Sequence, residues 1–127
     1  MADPAARPIV LVADDDPLVR TVVRMALQGM GADVVEARSA DEIAGLDAWL
    51  AIAVAVLDVN MPGADVLSTI ALLRGRDPAP KVLLVSGEEA PRGREEADAF
   101  ARKPVDLAKF EELVSSLLAP SGSGSVA

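Results

Sequence analysis

Charged residues follow short apolar runs at three points of this chain: Asp14-Asp15-Asp16-Pro17 after residues 8–13, Asp58 after residues 52–57, and Lys103-Pro104 after residues 97–102. Carboxylates at two of these points and an ammonium at the third make a set suited to phosphoryl transfer. A lone carboxylate such as Asp58 attacks phosphorus poorly, because nucleophile and donor are both anionic. A hard divalent cation removes that repulsion, and Mg2+ suits the task because it takes oxygen ligands in an octahedral shell while keeping several waters. Asp14 and Asp15 supply an anionic cradle, and Lys103 offers a compact positive charge to a phosphoryl oxygen. Ser86, ending the run 81–85, adds a hydroxyl donor.

These groups meet only if the apolar runs are parallel strands that end at one edge, where open α/β sheets hold their ligands. Residues 9–13 form a continuous apolar run closed by acid, as expected of a strand buried on both faces. Asp16-Pro17 then predicts a helix start, with Asp as cap and Pro at the first helical position. Val19, Val22, Val23, Ala26 and Met30 recur at helical spacing, and Gly29 and Gly31 bracket the stop. A second strand is predicted over 32–37, and Ser39-Ala40-Asp41-Glu42 reads as a capping box opening a second helix that runs to about Ala48.

Residues 52–57 predict the third and most apolar strand. Asn60-Met61-Pro62-Gly63 is turn chemistry, and Val66, Leu67, Ile70 and Leu73 form the inner stripe of a third helix. A loop over 75–80, a fourth strand over 82–85 and a fifth over 97–101 follow. Only residues 87–96 remain for the fourth helix, and they contain Pro91 and Gly93, so that helix is expected to be missing or reduced to one turn. Asp106 caps a last helix with Leu107, Phe110, Val114, Leu117 and Leu118 facing inward, and Trp49 and Phe100 are expected in the core. Strand and helix alternation implies a doubly wound parallel sheet with right-handed crossovers. In the strand order 2-1-3-4-5, Asp14, Asp15 and Asp58 flank the crevice between the first and third strands.

At 127 residues and 51% hydrophobic, the chain fits one compact domain over 9–119, with an N-terminal arm over 1–8 and a Pro/Ser/Gly tail or linker stub over 120–127. Cysteine and histidine are absent, which excludes a disulfide framework, a thiolate nucleophile, imidazole acid/base catalysis and a phosphohistidine on this chain. A phosphoryl group must therefore come from another molecule or domain. The net charge of −8 argues against nucleic-acid binding by this chain alone. The longest apolar run, 48–57, is too short to cross a bilayer, and residues 1–7 lack the apolar core of a signal peptide. A cytoplasmic protein without membrane attachment is expected.

The segments Val10-Leu11-Val12-Ala13-Asp14-Asp15-Asp16-Pro17, Leu57-Asp58-Val59-Asn60-Met61-Pro62-Gly63 and Lys103-Pro104, with Ser86 and Phe100 between them, occur in an order that resembles the receiver domain of two-component response regulators, the chemotaxis-regulator type. The resemblance covers about residues 9–118. It implies a flavodoxin-like fold and a phosphoacceptor, Asp58, that takes its phosphoryl group from a sensor histidine kinase or a histidine phosphotransfer protein. It also implies Mg2+, with Mn2+ able to substitute, held by Asp15, Asp58 and the Asn60 main-chain carbonyl, with Asp14 acting through a water. Lys103 would pair with a phosphoryl oxygen, Ser86 and Phe100 would be the hydroxyl and aromatic switch residues, and Asn60 and Glu88 would tune dephosphorylation. A cis peptide is expected at Lys103-Pro104. Such a domain is a signalling phosphoacceptor that promotes only its own phosphorylation and dephosphorylation, and is not otherwise an enzyme.

Three departures stand out: Phe100 lacks the hydroxyl of the commoner Tyr, Val66 occupies a position often held by Gly, and the interval from Ser86 to Lys103 is short for the family. The output and dimer surface built on the fourth helix is therefore expected to be nonstandard. Two other readings stay open. One is a receiver-like binding module that is never phosphorylated. The other is an aspartyl-phosphate hydrolase of the haloacid dehalogenase type, since Asp14 and Asp16 have the Asp-x-Asp spacing, although such enzymes normally need a longer chain. Asp16 and Asp65 also suit helix caps, and Glu95 and Glu96 a solvated face. The tail fits a stand-alone regulator and a receiver joined to a further domain equally well.

Overall fold

A computed structural model describes residues 7–89 and 91–119. The tail expected over 120–127 and most of the arm expected over 1–8 lie outside the described residues. Five strands, β1 (Ile9–Ala13), β2 (Asp33–Ala37), β3 (Ile52–Asp58), β4 (Lys81–Ser86) and β5 (Ala99–Arg102), form one sheet in the order β2-β1-β3-β4-β5. Every neighbouring pair is parallel, which makes the fold flavodoxin-like and doubly wound.

The strand sequences explain the two covered faces. Leu11 and Ala13 of β1 and Val82 and Leu84 of β4 pack with Ile43 of α2 (Ala40–Ala44) and Val66, Ile70 and Leu73 of α3 (Val66–Arg74). Their neighbours Val10, Val12, Leu83 and Val85 pack on the other face, with Val23 and Leu27 of α1 (Pro17–Gly29) and Phe110 and Val114 of α4 (Leu107–Leu118). Both alternating sets must be apolar in a strand covered twice, which is why β1, β3 and β4 read as unbroken hydrophobic runs. Each helix starts where a short polar side chain takes up free backbone donors. Asp16 accepts from Leu18 and Val19, Ser39 from Glu42, Asp65 from Ser68, and Asp106 from Ala108 and Lys109.

Some expectations are corrected. The second helix stops at Ala44 rather than near Ala48, because the backbone of Gly45 closes it by donating to Asp41. The chain that follows is stapled by Arg76, whose Nη2 donates to the Asp47 and Leu50 carbonyls, and this leaves Trp49 81% exposed instead of in the core. Leu107 also faces outward, and Leu117 and Leu118 are half-buried, so Phe110 and Val114 anchor α4. Val22 of α1 is exposed. The fifth strand starts at Ala99, since Asp98 turns its carboxylate back to accept from the Val82 amide and the Arg74 guanidinium.

Between β4 and β5, the helical element among the described residues is a single 3-10 turn, Arg94–Glu96. Arg74 holds it from α3 by donating to the Glu96 carbonyl at 2.7 Å. Gly93 precedes the turn with φ +93°, and a Cβ there would lie 3.0 Å from Val66 Cγ1 and 3.3 Å from Ile70 Cδ1. Val66 thus fills space on the sheet beside a residue that must itself have no side chain. Gly93→Ala should lower stability by about 1–3 kcal/mol through backbone strain and overpacking together. In a Val66→Ala background the overpacking share should disappear, so urea unfolding of the double-mutant cycle should show a smaller penalty for the same glycine change.

Candidate functional site

The site is set by backbone pairing that continues past three strand ends. The Asp14 amide donates to Ala37 at 3.1 Å, the Val59 amide to Val85 at 3.1 Å, and the Lys103 amide to the Ser86 carbonyl at 2.8 Å. These bonds bring Asp14, Asp58, Ser86 and Lys103 to the carboxyl edge of the sheet, with β1 beside β3 at the point where the strand order reverses. Asp58 and Ser86 are the last residues of their strands rather than the first of the following loops.

Lys103 Nζ lies 3.4 Å from Asp14 Oδ2 and 3.4 Å from Asp58 Oδ1. Asp14 and Asp58 are only 4% and 5% exposed, Ser86 is fully buried, and Asp15 stands at the surface. One carboxylate oxygen from each of Asp14, Asp15 and Asp58 lies within 4.8 Å of the others. Burial pushes the Asp14 carboxyl above its ordinary value; the Asp16 amide opposes the shift, the charge of Asp58 adds to it and Lys103 opposes it. For the Lys103 ammonium, burial alone would lower the pKa, but the charges of Asp58 and Asp14 outweigh it and the net shift is upward. An all-oxygen donor set with no imidazole or thiolate suits a hard cation that retains waters.

The remaining candidates fall around this cluster. Asn60 is exposed, and its amide donates to Asp58 Oδ1 at 3.3 Å. Its loop is fixed by buried Met61 and by Gly63, whose φ of +110° lets the backbone approach Ala40 so closely that a Cβ would meet Ala40 atoms at 3.3 Å. Ser86 Oγ accepts from the Glu88 amide at 3.0 Å, while the rest of Glu88 is exposed. The Lys103–Pro104 peptide is cis. Phe100 is half-buried and packs on the α2/α3 face, with the Arg94 guanidinium 4.4 Å from its ring centroid and donating to the Glu89 carbonyl. Asp16 is engaged as the α1 cap. Two contacts were not read from the sequence: Arg94 on Phe100, and Arg20, whose Nη1 donates to the Asp14 carbonyl at 2.8 Å. A basic residue one turn into the helix that follows an acidic pair was the available signal for Arg20.

A family model described as the response regulator receiver domain matches residues 10–115, and the chain belongs to that family. No curated protein matches it. Among solved structures, the receiver domain of the hybrid histidine kinase CckA is 30% identical, with a TM-score of 0.73 over 87% of this chain and 99% of that one. The chemotaxis response regulator CheY4 of Vibrio cholerae is 22% identical, with a TM-score of 0.80 over 89% and 100%. The response regulator TrrA of Thermotoga maritima, solved in complex with Mg2+-BeF, is 24% identical, with a TM-score of 0.77 over 87% and 99%. Receiver domains bind Mg2+ at an acidic pocket and are phosphorylated by histidine kinases or phosphotransfer proteins. Among the described residues, no helix is long and apolar enough to cross a membrane.

The raised Asp14 carboxyl has a measurable cost. The folded chain holds that proton more tightly than the unfolded chain, so stability falls as the pH climbs from the ordinary value of 3.8 through the raised one and stays reduced above it. Asp14→Asn, which keeps an oxygen for the Asp16 amide, should therefore raise the urea midpoint at pH 7 in chelator. The advantage should shrink as the buffer is acidified toward pH 4, about the ordinary Asp pKa. An advantage independent of pH would count against this account.

Proposed function

We propose that the chain is a phosphoacceptor whose Asp58 takes a phosphoryl group from a phosphohistidine on a partner kinase or phosphotransfer protein. The observation that carries the reading is the buried Asp58 carboxylate, 3.4 Å from Lys103 and within 4.8 Å of two further carboxylates. Asp58 Oδ1 faces Lys103 and the Asn60 amide, which leaves Oδ2 as the nucleophile. A bond forms from Oδ2 to phosphorus as the phosphorus–imidazole bond breaks, and the freed imidazole nitrogen takes a proton from water. Lys103, released from Asp14, neutralises a phosphoryl oxygen, and Ser86 turns its hydroxyl from the Glu88 amide toward another. Asp15, Asp58 and the Asn60 carbonyl, with Asp14 through a water, are the groups that would hold Mg2+. When bound, the ion offsets the carboxylate charge and that of the incoming phosphoryl group. Mn2+ has the same ligand preference and should substitute.

The donor must reach this edge of the sheet. An apolar groove of about 360 Å³ lined by Leu18, Val22, Pro104 and Leu107 opens beside Lys103 and suits an apolar partner surface. Within the reading, the chain is a cytoplasmic signalling domain that acts only on its own phosphorylation state, with Asn60 and Glu88 as the residues that tune the return reaction. Asp16 is committed to capping α1, which disfavours an Asp-x-Asp hydrolase. Incubation with a small amidophosphate or acyl phosphate donor and Mg2+ should add the mass of one phosphoryl group. Asp58→Asn and chelation should each abolish the gain. Undiminished labelling of Asp58→Asn would sink the assignment, and no labelling of the wild type would favour a binding module.

Output in this reading passes through the segment 87–96. Ser86 Oγ holds the Glu88 amide, while Arg94 ties the Glu89 carbonyl to the face of Phe100. Movement of Ser86 toward a phosphoryl group would release the first bond and loosen the second, uncovering the ring. Amide exchange of residues 87–96 should therefore change on phosphorylation while that of α1 stays constant away from the site. Exchange in 87–96 that does not respond would refute this route and leave the phosphoacceptor intact.

A further inference from the structure

Arg20 stands behind the acidic pair rather than in it. Its Nη1 donates to the Asp14 carbonyl at 2.8 Å, and its Nε lies 3.2 Å from Glu36 Oε1 on β2. The side chain is only 13% exposed. Arg24, one turn further along α1, lies 3.2 Å from the other oxygen of the same carboxylate, but it is 37% exposed and pairs with Glu36 alone in the contacts described. Two arginines thus share one partner, and Arg20 is the one that touches the backbone of the site.

We propose that Arg20 is a positioning residue for the cation site: by holding the Asp14 carbonyl from the β2 side, it fixes the Asp14–Asp15 peptide plane and so helps set how the Asp15 carboxylate, and that of Asp14 behind a water, would face the ion. The proposal rests on the reading of Asp14, Asp15 and Asp58 as metal ligands. Sheet pairing reaches only as far as the Asp14 amide, and the α1 cap begins at Asp16. The peptide between Asp14 and Asp15 belongs to neither element. Asp15 is exposed, so packing does little to orient it. The Asp14 carboxylate closes a turn across that peptide by accepting from the Asp16 amide at 2.9 Å; a charge-assisted bond from a guanidinium, itself fixed by Glu36, restrains the Asp14 carbonyl on the other side. Partners that orient metal ligands in this way commonly matter as much as the ligands themselves.

The electrostatic effect of Arg20 has the opposite sign, since a positive charge near the pocket repels a cation. Positioning and charge can therefore be told apart by titrating the full chain with Mn2+ alone and counting bound ion by its electron paramagnetic resonance. Arg20→Lys keeps the charge but loses the fork that reaches both Asp14 and Glu36, and Arg20→Gln removes the charge. Positioning predicts that both weaken Mn2+ binding about tenfold, while Arg24→Lys leaves it within about twofold of wild type. The Asp14 and Asp15 amide resonances should also shift in metal-free Arg20 variants. Wild-type affinity in Arg20→Lys, or tighter binding in Arg20→Gln, would overturn the proposal. So would weakening that follows loss of urea stability equally in the Arg20 and Arg24 variants. Failure of the wild type to bind one Mn2+ would overturn the metal site and this inference together, whereas wild-type binding that is indifferent to Arg20 overturns the inference alone.

Discussion

Crowding of like charge governs this structure. Asp14 and Asp58 are buried against each other's field, Asp15 stands beside them, and a single ammonium, Lys103, lies between the buried two. Left to relax, such a cluster would spread apart; burial is the main reason the Asp14 carboxyl lies above its ordinary value, and the charge of Asp58 adds to it. What prevents spreading is the parallel sheet. Asp14, Asp58 and Lys103 each follow or end a strand whose backbone is paired on at least one side, so moving one of them away means breaking ladder bonds in an apolar interior. The unbroken hydrophobic runs of β1, β3 and β4 are in this sense the support of the charged edge, because only strands covered on both faces hold their ends so firmly. An excess of negative charge held in place is also a standing attraction for a hard cation.

Those same features decided how much could be read from the sequence. Strand order, the caps at Asp16, Ser39, Asp65 and Asp106, and the meeting of Asp14, Asp58, Ser86 and Lys103 all follow from local patterns: apolar runs closed by polar residues, and short side chains that favour helix starts. Contacts made by long side chains across the fold were not legible. Arg76 reaches back to two carbonyls of the segment after α2 and so turns Trp49 outward, against the usual preference of that residue. Arg20, Arg74 and Arg94 act in the same manner, each donating to a main-chain carbonyl distant from its own backbone or across a turn. Such bonds carry no periodicity, and nothing in a neighbouring residue type announces the carbonyl they will find.

The link between β4 and β5 shows how a missing helix can be replaced. A helix there would cover the sheet with an apolar stripe, which the charged residues Arg92, Arg94, Glu95 and Glu96 cannot supply. The cover comes instead from α3, where Val66 and Ile70 extend under Gly93, and from Arg74, which bonds the β5 end of the gap through the Glu96 carbonyl and Asp98. Val66 and Gly93 are therefore one adaptation: the side chain that the third helix gains is the one that the connection gives up. Polar bonds to a short turn are fewer than the bonds of a helix and closer to solvent, so this connection can open at lower cost than the strands beside it. In the proposed function, converting a change at Asp58 into a change of surface would call for a soft element next to a rigid edge. Here the soft element begins at Ser86, whose carbonyl is bonded by the Lys103 amide, and ends on Phe100 at the edge of the sheet.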